Sequence, residues 1–355
     1  MKIHAALFTA VLATCTTFAA PPQFDVTRIP GVPEQGFNTV FPADINNNGV
    51  IVGAMVRLSG FVPVRAFLWT GSGPTIDLGD LGLFEFSQAV GINDAGQVIG
   101  FAEVADARSV TGHVFHGWFW ENGTIRDLPP LGGDFDSQAL AITELGEVLV
   151  VSYNRNETGR DRYYIWKNGK VDPIGRLNAE PGGLSGYATS MNDSRQIVGS
   201  IVHADGQERA FLWQNGQMID LGLAPGDDFF SFANRITNDG RIFGESWAFD
   251  DVNTHGSRSQ GVVWQGAQFV RTIPPLPGDW AASALGANEA GVSVGYSGFP
   301  SSGVVSFGGE WFNLNDLVPG QQPLRFLYQG RDVNERGQVV VDGQFGCCGY
   351  LLDPR

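Results

Sequence analysis

The stretch Ala89-Val90-Gly91-Ile92-Asn93-Asp94-Ala95-Gly96-Gln97-Val98-Ile99-Gly100 decides the fold, because the chain repeats it. Counterparts of Asn93 stand at Asn46, Thr143, Asn192, Thr237, Asn288 and Asn334. The steps between these seven positions are 47, 50, 49, 45, 51 and 46 residues. Three positions on, a glycine recurs at Gly49, Gly96, Gly146, Gly240, Gly291 and Gly337, with Arg195 the one departure. Self-similarity at such a period is the mark of a repeat architecture, in which each unit buries its face only against neighbours.

A second line follows the first in each unit. Arg65-Ala66-Phe67-Leu68-Trp69 recurs at Arg209 to Trp213, and degenerate forms end at Trp120, Trp166 and Trp264. An Asp-Leu line comes next, at Ile76-Asp77-Leu78-Gly79, Arg126-Asp127-Leu128 and Ile219-Asp220-Leu221-Gly222. Asn-Gly pairs at 122–123, 168–169 and 215–216 separate these two lines. Asn-Gly accepts φ > 0 at both turn centres, so it is a strong hairpin signal. The apolar runs are short, β-branched or aromatic, and show no helical period.

Each unit therefore reads as four strands. A is the segment ending in Ile-Asn, B the Val-Ile-Gly segment, C the Phe-Leu-Trp segment and D the Asp-Leu segment. The fold expected is an all-β, seven-bladed β-propeller with roughly 48 residues per blade; an open β-solenoid is the alternative. The ends favour closure. The seventh unit has A and B, a C-like Gly349-Tyr350-Leu351-Leu352, and no D. Phe24-Asp25-Val26-Thr27-Arg28-Ile29-Pro30 is similar to Phe269-Val270-Arg271-Thr272-Ile273-Pro274, the fifth D strand. The N-terminal segment is thus expected to complete the last blade and remove an open sheet edge.

These lines resemble the HAF-repeat family of extracellular proteins, named for a His-Ala-Phe triplet before Leu-Trp. The resemblance covers nearly the whole chain after residue 20 and implies the fold and export, but no activity. Arg65 and Arg209 stand where that family has His. His116 keeps the His but is followed by Gly117-Trp118.

Composition narrows the function classes. The 355 residues include 48 Gly and 19 Pro, with 17% charged and 43% apolar residues, which suits many short strands joined by turns. A formal charge of -15 argues against nucleic acid and anionic membranes as partners. It leaves a glycan, a cation or a protein ligand. Residues 1–20 read as a signal peptide, with Lys2, an apolar run Ala5 to Ala13, and small residues at Ala19 and Ala20. That run is too short to span a membrane. Residues 21–355 are then one secreted or periplasmic domain, expected to be monomeric. Cys15 is read as discarded with the signal rather than lipidated. Adjacent Cys347 and Cys348 staple no large fold.

Loops on a rigid scaffold carry most binding sites. A–B and C–D turns are tight and share one face of the disk, while D–A and B–C loops share the other. B–C loops are long and varied at Glu103 to His113, Tyr153 to Asp161 and Ala248 to Ser259. D–A loops carry acids and aromatics: Phe84, Glu85 and Phe86; Asp134, Phe135 and Asp136; Asp227, Asp228, Phe229 and Phe230; Asp279 and Trp280. Read as ligand-binding residues, they suit a cation, a basic peptide or stacked sugars; read as structure, they form turns and cover blade ends. The first positions from Asp44 to Gly49 mimic a calcium loop, but Met55 takes the place of the bidentate Glu, so no cofactor is expected and calcium is the only candidate. His113 and His116 are not on one strand face, which argues against a metal pair.

No HExxH, GxSxG or P-loop line occurs, so no catalytic residue is assigned. The leading expectation is an exported, non-enzymatic binding module using the long-loop face. A glycan-active enzyme using loop carboxylates such as Asp134 and Asp136 is the alternative, and a structural envelope or matrix protein the third.

Overall fold

The computed structural model describes residues 21–355 apart from 58–62, 83–85, 107–111, 156, 158, 179–183, 185, 251–255, 321–326 and 344–347. Twenty-eight strands form seven four-stranded antiparallel sheets, with only two 3₁₀ turns beside them among the described residues. Six blades run A–B–C–D in chain order, from Thr39–Ile45 as the first A strand to Glu310–Asn313 as the sixth D strand. The seventh takes A, B and C from Leu327–Val333, Val339–Gly343 and Gly349–Pro354. Its D strand is Phe24–Arg28, which pairs antiparallel with Gly349–Pro354 from Phe24↔Pro354 to Arg28↔Tyr350. The ring is a closed seven-bladed β-propeller.

The repeat lines explain the packing. Trp69, Trp166 and Trp264 are buried between blades, and the core is a succession of such interblade clusters rather than one centre. The last glycine of the Val-Ile-Gly line has a steric cause. A Cβ on Gly100 would stand 2.0 Å from the Gln88 carbonyl oxygen of the inner strand, a position no side chain accepts. The glycine of the A–B turn has a conformational one: Gly96 sits at φ 77°, and Arg195, the departure from that column, is held at φ 54°.

Every inner strand carries a β-bulge at the same place. Registers shift at Pro42/Asp44, Ala89/Gly91, Ala139/Ala141, Ala188/Ser190, Ala233/Arg235, Ala284/Gly286 and Gly330/Asp332. A bulge leaves one residue unpaired and re-aims those after it. Here it turns one stretch of each inner strand toward the propeller axis.

Candidate functional site

On the A–B face, all seven blades line one axial cavity of about 230 Å³. It begins at the bulges and ends at the A–B turns. The repeated Asn forms its collar. Asn46 Nδ2 donates to the Asn93 carbonyl at 3.0 Å, Asn93 to Thr143, Asn192 to Thr237, Asn288 to Asn334, and Asn334 back to Asn46. The two threonines of the column, Thr143 and Thr237, carry no amide to continue the series.

The next residue in each turn makes the rim. The amide of Asn47 donates to Asp94, Asp94 to Glu144, Glu144 to Asp193 and Asp193 to Asn238. Asn238 then donates to Glu289, Glu289 to Glu335, and Glu335 to Asn47. These seven side-chain acceptors, at 2.5 to 2.9 Å, close a full circle. Five are carboxylates. Burial and the neighbouring charges of Asp94, Asp193 and Asp44 push the Glu144 carboxyl above its ordinary range, although the Asp94 amide works the other way.

Two residues inward lie Asp44, Arg235 and Asp332. Asp44 accepts the amides of Ile45 and Ile92 at 3.0 and 2.8 Å. Arg235 Nη2 lies 3.7 Å from Asp332 Oδ2. Gly286 stands between their strands, and a Cβ there would approach Asp332 Oδ1 to 2.7 Å. Burial drives the Asp332 carboxyl well above its usual range, Arg235 opposes this, and Asp44 adds to it. Asp332 Oδ1 has no hydrogen-bond partner among the described residues.

The residues singled out from sequence lie on the opposite face, and most of their carboxylates are committed to the framework. Asp134 accepts Ser152 Oγ at 2.6 Å and pairs with Arg162 at 2.8 Å. Asp136 is fully buried, accepts the Phe115 amide at 2.8 Å and pairs with Arg155. Asp227 pairs with Arg258 at 3.2 Å and accepts Gln260 Nε2 at 3.0 Å. Asp279 accepts Ser297 Oγ at 2.8 Å. In three loops the aspartate amide also closes a turn, onto Leu131, Ala224 and Leu276. Asp228 is exposed and accepts the Phe249 amide at 2.8 Å. Phe84 and Glu85 lie outside the described residues.

The aromatics form two groups rather than a ring. Phe86 packs against Phe101 and Phe115 in blade two. In blades five and six, Phe229 lies 4.1 Å from Phe249 and 4.4 Å from Phe230 between ring centroids. Phe230 lies 5.0 Å from Trp247, which meets Trp280 edge-on at 6.3 Å. Phe249 is 57% exposed. Phe135 lies apart from both groups along the chain, its amide donating to the Tyr153 carbonyl. Beneath the larger group, burial pushes the Glu245 carboxyl up to about 7, only partly offset by polar neighbours including Tyr296 at 3.5 Å.

The cation column of strand C is an intrablade device. Arg65 pairs with Asp77 at 3.2 Å, His116 with Asp127 at 3.0 Å and Arg209 with Asp220 at 3.8 Å, each across the C–D hairpin. Sequence reading missed the rim, Arg235, Asp332 and Glu245. The signal for the rim was an acid after the Asn/Thr column in five of seven units.

No family model and no curated protein matches this chain. Among solved structures, the β-propeller domain of the Trilobed protease from Pyrococcus furiosus, described as having an open velcro topology, is 12% identical with a TM-score of 0.53, covering 85% of this chain and 91% of that one. TolB from Acinetobacter baumannii is 10% identical with a TM-score of 0.41, covering 86% and 63%. The first likeness shows the propeller fold. Its open topology contrasts with the closing N-terminal strand seen here.

Proposed function

We propose that this protein is an exported, non-enzymatic binding module that takes its ligand on the long-loop face. The observation that carries the reading is the aromatic surface of Phe229, Phe230, Phe249, Trp247 and Trp280, with Phe249 turned to solvent. Aromatic faces stack on sugar rings or on apolar side chains of a protein ligand, and they sit on a scaffold that loses little entropy on binding. Export rests on the N-terminal Lys2 to Ala20 segment. Asp134 and Asp136 are both held by arginines, which supports binding over glycoside cleavage by that pair.

The test is electrophoresis of the mature protein through gels containing soluble polysaccharides, beside Phe249→Ala and Trp280→Ala. Retardation that is lost in both variants supports the reading. Migration unchanged by every polysaccharide and by both substitutions removes the glycan form of it. A second reading, glycan cleavage, is favoured by one observation only, the neutral-range carboxyl of Glu245 under this surface. It predicts new reducing ends that disappear in Glu245→Gln.

A further inference from the structure

The inner strands carry a second ring, on the long-loop side of the axis. Their side chains alternate: Ala89, Ala139, Ala188 and Ala233 are buried in the interblade clusters, while Val90, Leu140 and Thr189 line the axial cavity. Two residues earlier on the same strand side stand Gln88, Gln138 and Tyr187, which are partly buried or exposed. Phe41, Phe232 and Gln329 hold the same level in blades one, five and seven. All six pair with the strand-B residue that follows the glycine position. Blade six has Ser283 at this level, buried and accepting Asn234 Nδ2 at 3.2 Å.

The chemistry of this ring is unlike that of the rim on the opposite face. Three of the six side chains are amides, three are aromatic, and none is charged. Arg331, two residues beyond Gln329, is bonded to Asp342. An amide donates and accepts at once, as a hydroxyl-rich ligand requires, and an aromatic face stacks on the apolar face of a sugar. Tyr187 is 61% exposed. Gln138 Nε2 is oriented by the Tyr153 hydroxyl at 3.1 Å, and no hydrogen bond among the described residues engages the amides of Gln88 and Gln329.

The ring is continuous with the aromatic surface of blade five. Between ring centroids, Phe232 lies 5.1 Å from Phe230, Phe230 4.4 Å from Phe229, and Phe229 4.1 Å from Phe249. These rings run from a solvent-facing loop inward to the axis. Because the amides sit inside a closed circle of blades, a polymer reaches them along the axis and therefore by its end. We propose that this ring receives the terminal sugar of a neutral glycan, whose following residues lie along Phe230, Phe229 and Phe249. The inference rests on the long-loop face being the binding face, and adds that the ligand is uncharged and held by its end. A protein charge of -15 also disfavours an anionic glycan.

Isothermal titration calorimetry of the mature protein tests this with cellohexaose, xylohexaose, maltohexaose and laminarihexaose, and with the longer soluble polymer of whichever binds. Tyr187→Ala and the double variant Gln88→Ala/Gln138→Ala should each weaken binding by about tenfold or more. One protein should bind per chain, for hexaose and polymer alike. Glu335→Gln, on the opposite face, should leave binding unchanged, and polygalacturonate should not compete. If the double variant unfolds, Tyr187→Ala alone decides, since that side chain is mostly exposed. Binding that is lost in Phe249→Ala and Trp280→Ala but equals the wild type in the ring variants overturns the axial ring and keeps the long-loop surface. Protein bound in proportion to chain length does the same. No heat with any of the four hexaoses overturns the proposal, and the long-loop surface then stands or falls on polysaccharide retardation.

Discussion

The amide of Glu335 donates to Oδ1 of Asn47 at 2.8 Å across 288 residues of sequence. This bond joins blade seven to blade one and makes the rim a circle rather than an arc. The same junction is fastened at its outer edge by Phe24–Arg28 on Gly349–Pro354. It is also held at the collar by Asn334 Nδ2 on the Asn46 carbonyl. Closure is therefore made at three radii, and each can be tested separately.

At the collar, Asn334 does four things at once. Its Oδ1 accepts the amides of Arg336 and Gln338, and its Nδ2 donates to Asn46 and to Gln338 Oε1. Asn334→Ala strips these partners in a buried turn, where an unsatisfied group costs about 1–3 kcal/mol. The expected loss is about 2–4 kcal/mol by urea unfolding. Thr237→Asn is the converse. It supplies the amide missing between blades five and six and should raise stability by about 1 kcal/mol. If both variants unfold like the wild type, the collar is not a fastening.

At the outer edge, Phe24 is fully buried in the cluster with Leu317, Leu327, Val339 and Leu352. Phe24→Ala removes a large buried ring and should cost about 3–5 kcal/mol in a melt. Deleting residues 21–28 goes further, because Gly349–Pro354 becomes an unpaired edge. Size-exclusion chromatography should then show more association than the intact protein does. A monomeric truncated protein melting with the wild type would count against strand closure.

How much of this was legible in the sequence follows from distance along the chain. Blade count, strand order and the closing strand come from columns of like residues, and those are visible without coordinates. The Asn93 column was visible too, but not that its amide reaches the next blade, because its partner Thr143 is 50 residues on. The rim was hidden for the same reason. The residue after Asn reads as a turn former until the ring brings its neighbour within reach. Asp134 and Asp279 were misleading in the opposite sense. A Gly-Asp loop looks solvent-facing, yet each carboxylate meets a serine 18 residues later at the end of strand B.

That clasp gives a clean separation of roles on the long-loop face. Asp134→Ala removes the acceptor shared by Ser152 and Arg162, although Arg162 keeps the Gly132 carbonyl and Ser152 the Leu131 amide, and should lower stability by about 1–2 kcal/mol, discounted because Arg162 is partly exposed. Asp228→Ala, on an exposed acid bonded to one amide, should change it by less than about 0.5 kcal/mol. Chemical denaturation of the two variants checks this. Equal effects would mean that the Ser152 contact does not fasten the loop.

Glu245 makes a prediction in pH. Burial raises its carboxyl to about 7 from an ordinary 4.5, so the folded protein holds the proton more tightly than the unfolded chain. Its contribution is then fully present below about 4.5 and is lost as pH rises through about 7. By pH 8 the buried charge should have cost about 3 kcal/mol. Glu245→Gln keeps the hydrogen-bonding shape toward Tyr296 and cannot ionise. The variant should match the wild type near pH 4 and exceed it in melting temperature near pH 8, the gap opening between about 5 and 7. A gap that is constant across that range would show that Glu245 titrates normally, and would also remove the one observation favouring glycan cleavage.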